Sequence, residues 1–180
     1  VRMRQLFDLD ISVRPCVSFP SNPLNFIRRK GTGFEEPAID ATIFRQNTEC
    51  LYSGVEWTNP PKSVRDALET HPAMKNFQQV PGEDLAVSCR IMTRGACRRI
   101  LRAAFEFARK RGSRAVTVCE KPNVIRETSG MMLAEAKKIA AEFPGIAVWD
   151  TNIDAMMMWL TKNPEDYNVI VAGNMFGDIV

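Results

Sequence analysis

Apolar residues in the second half of the chain alternate between the period of a buried strand and that of an amphipathic helix. Short apolar runs at 115–118, 146–149 and 169–172 predict strands. Residues 127–143 and 153–160 predict a helix after each of the first two strands. A strand–helix–strand–helix–strand order favours parallel pairing with right-handed crossovers. The pattern therefore indicates the α/β class.

The strongest helix prediction begins after Thr93, whose hydroxyl can cap a first turn, and ends at Gly112. Its apolar residues follow a three-and-four spacing, which indicates one buried stripe. The remaining predictions are strands at 9–13, 41–45 and 85–92, an extended stretch at 50–57, a short helix at 63–70, and loop at 20–37, where Pro, Gly and Asn are frequent.

Composition narrows the class of protein. The 180 residues are 45% apolar and 25% charged, which is typical of a globular domain with a sizeable core. The net charge of +3 is dispersed, which argues against a nucleic-acid partner, and no apolar run predicts a membrane span. Five cysteines without a CxxC pair suit free thiols in a reducing compartment, the cytoplasm or the mitochondrial matrix. The single histidine, His71, argues against a His-based zinc site.

Two candidate proton carriers lie near predicted strands. Lys121 follows the strand at 115–118, at the edge where α/β folds place ligands, and Tyr52 follows the strand at 41–45. Each also has an ordinary structural explanation, because Lys121 could be a surface lysine in a connecting loop and Tyr52 could be a ring in the core.

Arginines and aspartates supply further candidate chemistry. Arg4, Arg14 and Arg45 carry guanidinium forks that match carboxylates. Asp154 and Asp178 offer hard oxygen ligands for Mg²⁺ or Mn²⁺. The arginines could equally pair on the surface, and Asp154 could complement a helix dipole.

Several sequence motifs of this chain match a known family in identity and order. Residues 45–57 (RQNTECLYSGVEW) resemble the Arg-Glu-Asn-Thr/Ser-Glu-x-x-Tyr-x-Gly-x-Glu segment of the isocitrate and isopropylmalate dehydrogenases, the metal-dependent β-decarboxylating dehydrogenases. Residues 121–124 (KPNV) are similar to its Lys-Ala/Gly-Asn-Val/Ile motif, and residues 9–15 resemble its Leu-x-Leu-x-x-x-Arg-Pro strand. Residues 154–160 and 174–179 resemble its two metal-ligand segments. The resemblance covers essentially the whole chain.

The resemblance implies a segment of the family's three-layer αβα fold, with a small domain and a dimer clasp. Residues 1–39 would lead from a large domain into the small domain. Residues 40–165 would form the small α/β domain with the clasp and dimer-interface helices, and residues 166–180 would return to the large domain.

The implied reaction is oxidative decarboxylation of a 2-hydroxy di- or tricarboxylic acid with NAD or NADP and Mg²⁺ or Mn²⁺. The implied partner is a second copy, because in this family a homodimer shares its active sites. The lysine assists deprotonation of the hydroxyl, and the tyrosine handles the proton at the carbon that loses CO₂. By motif position, the resemblance assigns substrate binding to Arg4, Arg14, Arg45 and Asn123, catalysis to Tyr52 and Lys121, and metal binding to Asp154 (across the interface) and Asp178.

Three residues depart from the family pattern. Glu120 stands where many relatives have histidine, Pro122 replaces a small residue, and Gln46 replaces glutamate. Proline fixes φ and removes a donor, so the loop after Lys121 is expected to differ slightly.

The sequence leaves several alternatives open. The stretch at 52–57 favours isocitrate as the substrate, with isopropylmalate, homoisocitrate or tartrate as alternatives. A non-catalytic regulatory subunit and a dimerisation fragment are further possibilities, although regulatory subunits usually lack the tyrosine or lysine. The chain begins at Val1 and ends on an apolar pair, so it is expected to be a segment whose cofactor-binding loops lie elsewhere and which is inactive alone. The choice between NAD and NADP is therefore open.

Overall fold

A five-stranded sheet organises residues 2–180, the part of the chain that the computed structural model describes. The strands are β1 (Ile11–Val17), β2 (Arg28–Lys30), β3 (Gly33–Glu35), β4 (Asp40–Gln46), β5 (Glu56–Thr58), β6 (Ala86–Ser88), β7 (Ala115–Glu120), β8 (Ala147–Asn152) and β9 (Val169–Ala172). The helices are α1 (Arg2–Leu6), α2 (Lys62–Glu69), α3 (Arg94–Arg111), α4 (Arg126–Ala140), α5 (Ile153–Lys162) and α6 (Phe176–Ile179).

The strand order in the central sheet is β1-β4-β9-β7-β8. Strands β4, β9, β7 and β8 are parallel, and β1 pairs antiparallel with β4 at one edge. Pro15 is tolerated in β1 because an edge strand leaves one row of backbone N–H groups unpaired. The predicted parallel order is confirmed, and it brings the carboxyl ends of four strands to one edge.

Helices cover both faces of the sheet. Val169 and Val171 of β9 point into a core shared with α3 and α4, whereas Ile170 and Ala172 point into a second core with α5 and α6. Such a strand is apolar throughout because both of its faces are buried. The three-layer αβα arrangement is therefore confirmed.

The capping residues and apolar spacing in the sequence predicted the positions of helices α3 and α4 closely. The Thr93 hydroxyl accepts a hydrogen bond from the backbone N–H of Ala96 at 3.2 Å and caps α3. Gly112 ends this helix with φ 73°, a conformation that glycine adopts without strain. Helix α4 ends at Ala140, three residues earlier than predicted.

Two strand predictions are wrong in extent. The stretch at 50–57 is not extended throughout, because a 3₁₀ turn at Leu51–Ser53 precedes β5. The predicted strand at 85–92 shortens to β6, because β5 offers only three residues for pairing. Ile91 instead makes an isolated bridge with Cys50.

The N-terminal region also departs from expectation. The strand predicted at 9–13 is β1, which starts two residues later and runs on to Val17. The predicted loop at 20–37 contains the β2–β3 hairpin, where Arg28 lies opposite Glu35 and donates a 2.7 Å hydrogen bond to its carboxylate. A charged cross-strand pair and Gly31 at φ 58° stabilise a hairpin that the loop-like composition had obscured.

The division of the chain at residues 39 and 165 stays a prediction, while β1, β4 and β9 pair within one sheet. Among the helices of residues 2–180, none combines the length and apolar character required to cross a bilayer.

Candidate active site

Candidate residues collect at the carboxyl edge of the parallel strands. Arg45 is the penultimate residue of β4, and Lys121 follows β7 directly. Asp154 is the second residue of α5, after β8, and Asp178 lies in α6, after β9. This is the edge at which open α/β sheets bind ligands.

Arg14, Arg45, Tyr52 and Asp178 meet in one group, the arginine–tyrosine cluster. The Tyr52 hydroxyl donates a 2.7 Å hydrogen bond to Asp178 Oδ2. Arg45 pairs with Oδ1 of the same carboxylate and stacks over the Tyr52 ring, 5.3 Å from its centroid. Arg14 reaches the same oxygen at 3.5 Å. Two guanidinium groups and a phenol thus converge on one carboxylate.

The direction of the Arg45 fork is fixed by its neighbours. Its side chain is 3% exposed, and Nε donates to Asn174 Oδ1 at 2.9 Å. The Asn174 amide in turn donates to the carbonyl of Glu49 at 3.0 Å. Gly177 permits close approach, because a Cβ there would lie 2.8 Å from Arg45 Cβ. The buried guanidinium therefore aims at the Asp178 carboxylate.

The cluster sets the charge of its members. The hydrogen bond to Asp178 raises the pKa of Tyr52, so the phenol keeps its proton at neutral pH. The same bond from Tyr52, together with Arg45 and Arg14, lowers the pKa of Asp178. Tyr52 is 40% exposed and can therefore reach a ligand. A proton donor thus stands beside cationic groups suited to carboxylates.

A second group, the lysine–aspartate pair, consists of Lys121 and Asp154, which form an ion pair. The hydrogen bond from Lys121 and the backbone N–H groups at the start of α5 lower the pKa of Asp154. The Asp154 side chain is 68% exposed, so its carboxylate is open to a further partner. Its position in the first turn of α5 fits an acid that complements the helix dipole as well as it fits a metal ligand.

The two groups do not meet within one chain. Strand β9 lies between β4 and β7, and within residues 2–180 no hydrogen bond or salt bridge joins the cluster to the pair. Half-buried Arg4 lies close enough to Arg45 that its charge adds to burial in lowering the pKa of Arg45. Asn123 is exposed in the turn after Lys121. Across the described residues, no three His, Cys, Asp or Glu side chains gather as a metal-binding group.

Sequence reasoning missed Arg90, which is buried beside both groups. The available signal was the predicted strand at 85–92, in which Arg90 lies on the same side as the apolar Met92. A charged side chain that is buried requires a buried partner, and Glu120 supplies it.

Known proteins resemble this chain along its whole length. The sequence profile of the isocitrate/isopropylmalate dehydrogenase family matches residues 1–180. The chain is 35% identical to 3-isopropylmalate dehydrogenase from Methanothermobacter thermautotrophicus, over 100% of this chain and 45% of the relative. It is 32% identical to a regulatory subunit of the mitochondrial NAD isocitrate dehydrogenase from Dictyostelium discoideum, over 100% of this chain and 42% of the relative.

The fold has solved counterparts. A crystal structure of isocitrate dehydrogenase from Methylococcus capsulatus matches with a TM-score of 0.77 and 30% identity, over 99% of this chain and 44% of that chain. The chain spans less than half the length of these relatives. With a full-length profile match and a matching fold, the chain belongs to the isocitrate/isopropylmalate dehydrogenase family.

Proposed function

We propose that the protein containing this chain is an NAD- or NADP-dependent decarboxylating dehydrogenase of a 2-hydroxy di- or tricarboxylic acid. Conversion of isocitrate to 2-oxoglutarate is the favoured reaction. The observation that carries the proposal is the arginine–tyrosine cluster, in which a protonated phenol and two guanidinium groups surround one carboxylate. The proposed proton donor and two of the proposed carboxylate-binding arginines thus stand together at the ligand-binding edge of the sheet.

Substrate carboxylates would bind the guanidinium groups of Arg4, Arg14 and Arg45. The Asp178 carboxylate already pairs with Arg14 and Arg45, which supports their role as carboxylate binders. Asn123, exposed beside Lys121, would add a contact to the substrate.

Proton transfer would fall to Tyr52 and Lys121. Tyr52 keeps its proton because its bond to Asp178 raises its pKa, which suits a donor to the carbon that has lost CO₂. Lys121 would accept the proton of the substrate hydroxyl. Because the Lys121 amine lies in a separate group from the cluster, it would serve the cluster of a second copy.

The acidic side chains of this chain fit a hard divalent cation. Asp154 and Asp178 supply carboxylate oxygens, the ligands that Mg²⁺ and Mn²⁺ prefer. One chain holds them in separate groups, so Asp154 of one copy would complete the set around Asp178 of the other in a homodimer. When bound, the cation lowers the pKa of the substrate hydroxyl and stabilises the negative charge that develops on decarboxylation.

A regulatory subunit is the second candidate, since two relatives from Dictyostelium discoideum are regulatory subunits of NAD isocitrate dehydrogenase. The presence of Tyr52 and Lys121 favours catalysis. Binding of isocitrate by the full-length protein without turnover would favour the regulatory role.

The full-length protein, assayed with Mg²⁺ and NAD or NADP, is expected to turn over isocitrate faster than isopropylmalate, homoisocitrate or tartrate. Tyr52→Phe and Lys121→Met should each lower kcat about 100-fold or more, the usual contribution of a positioned acid or base. A chelator should abolish turnover. The measurement is formation of the reduced nicotinamide.

Matched controls come from the same chain. Tyr167→Phe changes a tyrosine that precedes β9 and packs against Trp149, and Lys138→Met changes a lysine paired with Glu135 on α4. Both should keep wild-type kcat. Near-wild-type turnover of Tyr52→Phe and Lys121→Met would contradict the assigned roles, and turnover in excess chelator would contradict the metal requirement.

A further inference from the structure

Arg90 is a buried arginine between the arginine–tyrosine cluster and the lysine–aspartate pair. Its side chain is 8% exposed, and all three guanidinium nitrogens donate hydrogen bonds. Nε donates to Cys50 Sγ at 3.2 Å, one terminal nitrogen donates to the hydroxyls of Thr128 and Ser129, and the other donates to Glu120 at 2.7 Å. The guanidinium also lies over the Phe176 ring, 4.9 Å from its centroid.

Glu120, the fully buried partner of Arg90, holds two strand ends together. Its Oε2 accepts hydrogen bonds from Arg90 and from the Ser129 hydroxyl at 2.7 Å, and its Oε1 accepts from the backbone N–H of Gly173 at 2.9 Å. The Ser129 oxygen also accepts from the backbone N–H of Lys121 at 3.3 Å. The one donor and both acceptor sites of this hydroxyl are therefore used.

The Arg90 network reaches every proposed proton carrier and one proposed metal ligand through a close neighbour. Cys50 lies two residues before Tyr52, Phe176 lies two residues before Asp178, and Glu120 directly precedes Lys121. We infer that Arg90 is a positioning residue that fixes the spacing between the Tyr52 turn, the Lys121 strand end and the loop leading to Asp178. The inference rests on the proposed function, in which these side chains act on one substrate.

Only the guanidinium shape meets all of these contacts. Its fork directs donors to three sides in one plane, whereas a lysine amine is a single point on a flexible stem. Space is also limited, because a Cβ at Gly173 would lie 2.7 Å from Glu120 Oε1 and 3.2 Å from the Arg90 guanidinium. The loss of Arg90 would also leave the Glu120 carboxylate buried without its counter-charge.

In the full-length protein, Arg90→Met is expected to lower kcat about 100-fold, the loss that a displacement of about 1 Å produces. KM should change less than about threefold, because no hydrogen bond within residues 2–180 joins Arg90 to Asp178 or Asn174, the side chains that orient Arg14 and Arg45. Arg90→Lys, which keeps the charge without the fork, should lower kcat by roughly 10-fold. Thr128→Val, a variant of similar shape, removes one acceptor and provides a milder test if Arg90→Met does not fold.

Arg111→Met is the matched control. Arg111, the last residue of α3, is also partly buried and pairs with Asp40, which lies at the amino end of β4 and so at the opposite end of the strand from Arg45. Its kcat and KM should stay at wild-type values once rates are normalised to the folded fraction by circular dichroism. A kcat for Arg90→Met and Arg90→Lys equal to that of Arg111→Met would overturn the inference.

Amide hydrogen exchange tests the role of Arg90 independently of catalytic activity. Amides at 50–54, 121–125 and 173–178 should exchange faster in Arg90→Met and Arg90→Lys than in wild type, and at wild-type rates in Arg111→Met. If the wild-type protein turns over none of the hydroxy acids, the proposed function fails and the exchange rates alone decide the role of Arg90. Unchanged exchange at these three segments would overturn the inference in either case.

Discussion

Cys50 carries backbone strain next to the candidate site. Its φ of 73° and ψ of −152° lie in a region that residues with a Cβ rarely adopt. Its N–H donates to the Ile91 carbonyl at 2.7 Å, and its sulfur accepts a hydrogen bond from Arg90. The isolated bridge to Ile91 and the fixed turn thus hold a strained residue two positions before Tyr52.

Cys50→Gly and Cys50→Ala test this strain, because both remove the sulfur and only glycine relieves the backbone. The glycine variant should be more stable by about 1 kcal/mol, since strain of about 1–3 kcal/mol is partly offset by the greater chain entropy of glycine in the unfolded state. Urea denaturation followed by circular dichroism measures the difference. At Cys16, which lies in strand β1, the order should reverse, with alanine the more stable. Equal stabilities at position 50 would show that Cys50 is unstrained.

Helices α3 and α4 are joined by a buried carboxylate. Glu135 of α4 is 1% exposed and pairs with Arg94 and Arg98 of α3 and with Lys138 of its own helix. Hydrogen bonds from Arg98, Lys138 and Arg94 lower the pKa of Glu135 from 4.5 to about 2. The ionised form of Glu135 therefore stabilises the packing of the two helices.

This pairing predicts a pH dependence of the free energy of unfolding. A carboxyl whose pKa is lower in the folded state contributes fully above its unfolded value of 4.5, and the contribution is lost as the pH falls towards about 2. Glu135→Gln should therefore be less stable than wild type at pH 7, and the gap should narrow between pH 4.5 and pH 2. Glu142→Gln, which breaks an exposed pair with Arg102, should show a much smaller gap at every pH. A constant gap for Glu135→Gln in denaturant titrations would contradict the assigned pairing.

Elements with local signals were predictable from the sequence, and elements defined by a distant partner were not. Helix α3 carries its cap at Thr93 and its stop at Gly112, so periodicity placed it closely. Strand β6 ends at Ser88, opposite the first residue of β5, and no pattern within 85–92 encodes that limit. Motif order selected the residues of the candidate site, but the bond from Tyr52 to Asp178 and the inward turn of Arg90 arise from tertiary contacts.

The molecule as a whole divides the proposed chemistry between two places on one sheet edge. Tyr52 belongs to the arginine–tyrosine cluster near β4, whereas Lys121 pairs with Asp154 beyond β7. If two copies share each active site, the cluster of one copy works with the lysine–aspartate pair of the other. Defects in the two groups should then complement each other in a hybrid dimer.

Full-length Tyr52→Phe and Lys121→Met proteins, each expected to be nearly inactive alone, should regain activity when they are dissociated together and reassembled. In a hybrid dimer one site carries both defects and the other carries neither. Random assortment of equal amounts makes about half of the dimers hybrid, so activity should reach about one quarter of wild type. Tyr52→Phe mixed with Asp178→Asn is the control, because both changes fall in the cluster and every hybrid site keeps one defect. Native mass spectrometry measures the hybrid fraction in each mixture, and hybrids of the first kind without activity would place Tyr52 and Lys121 in one site of one chain.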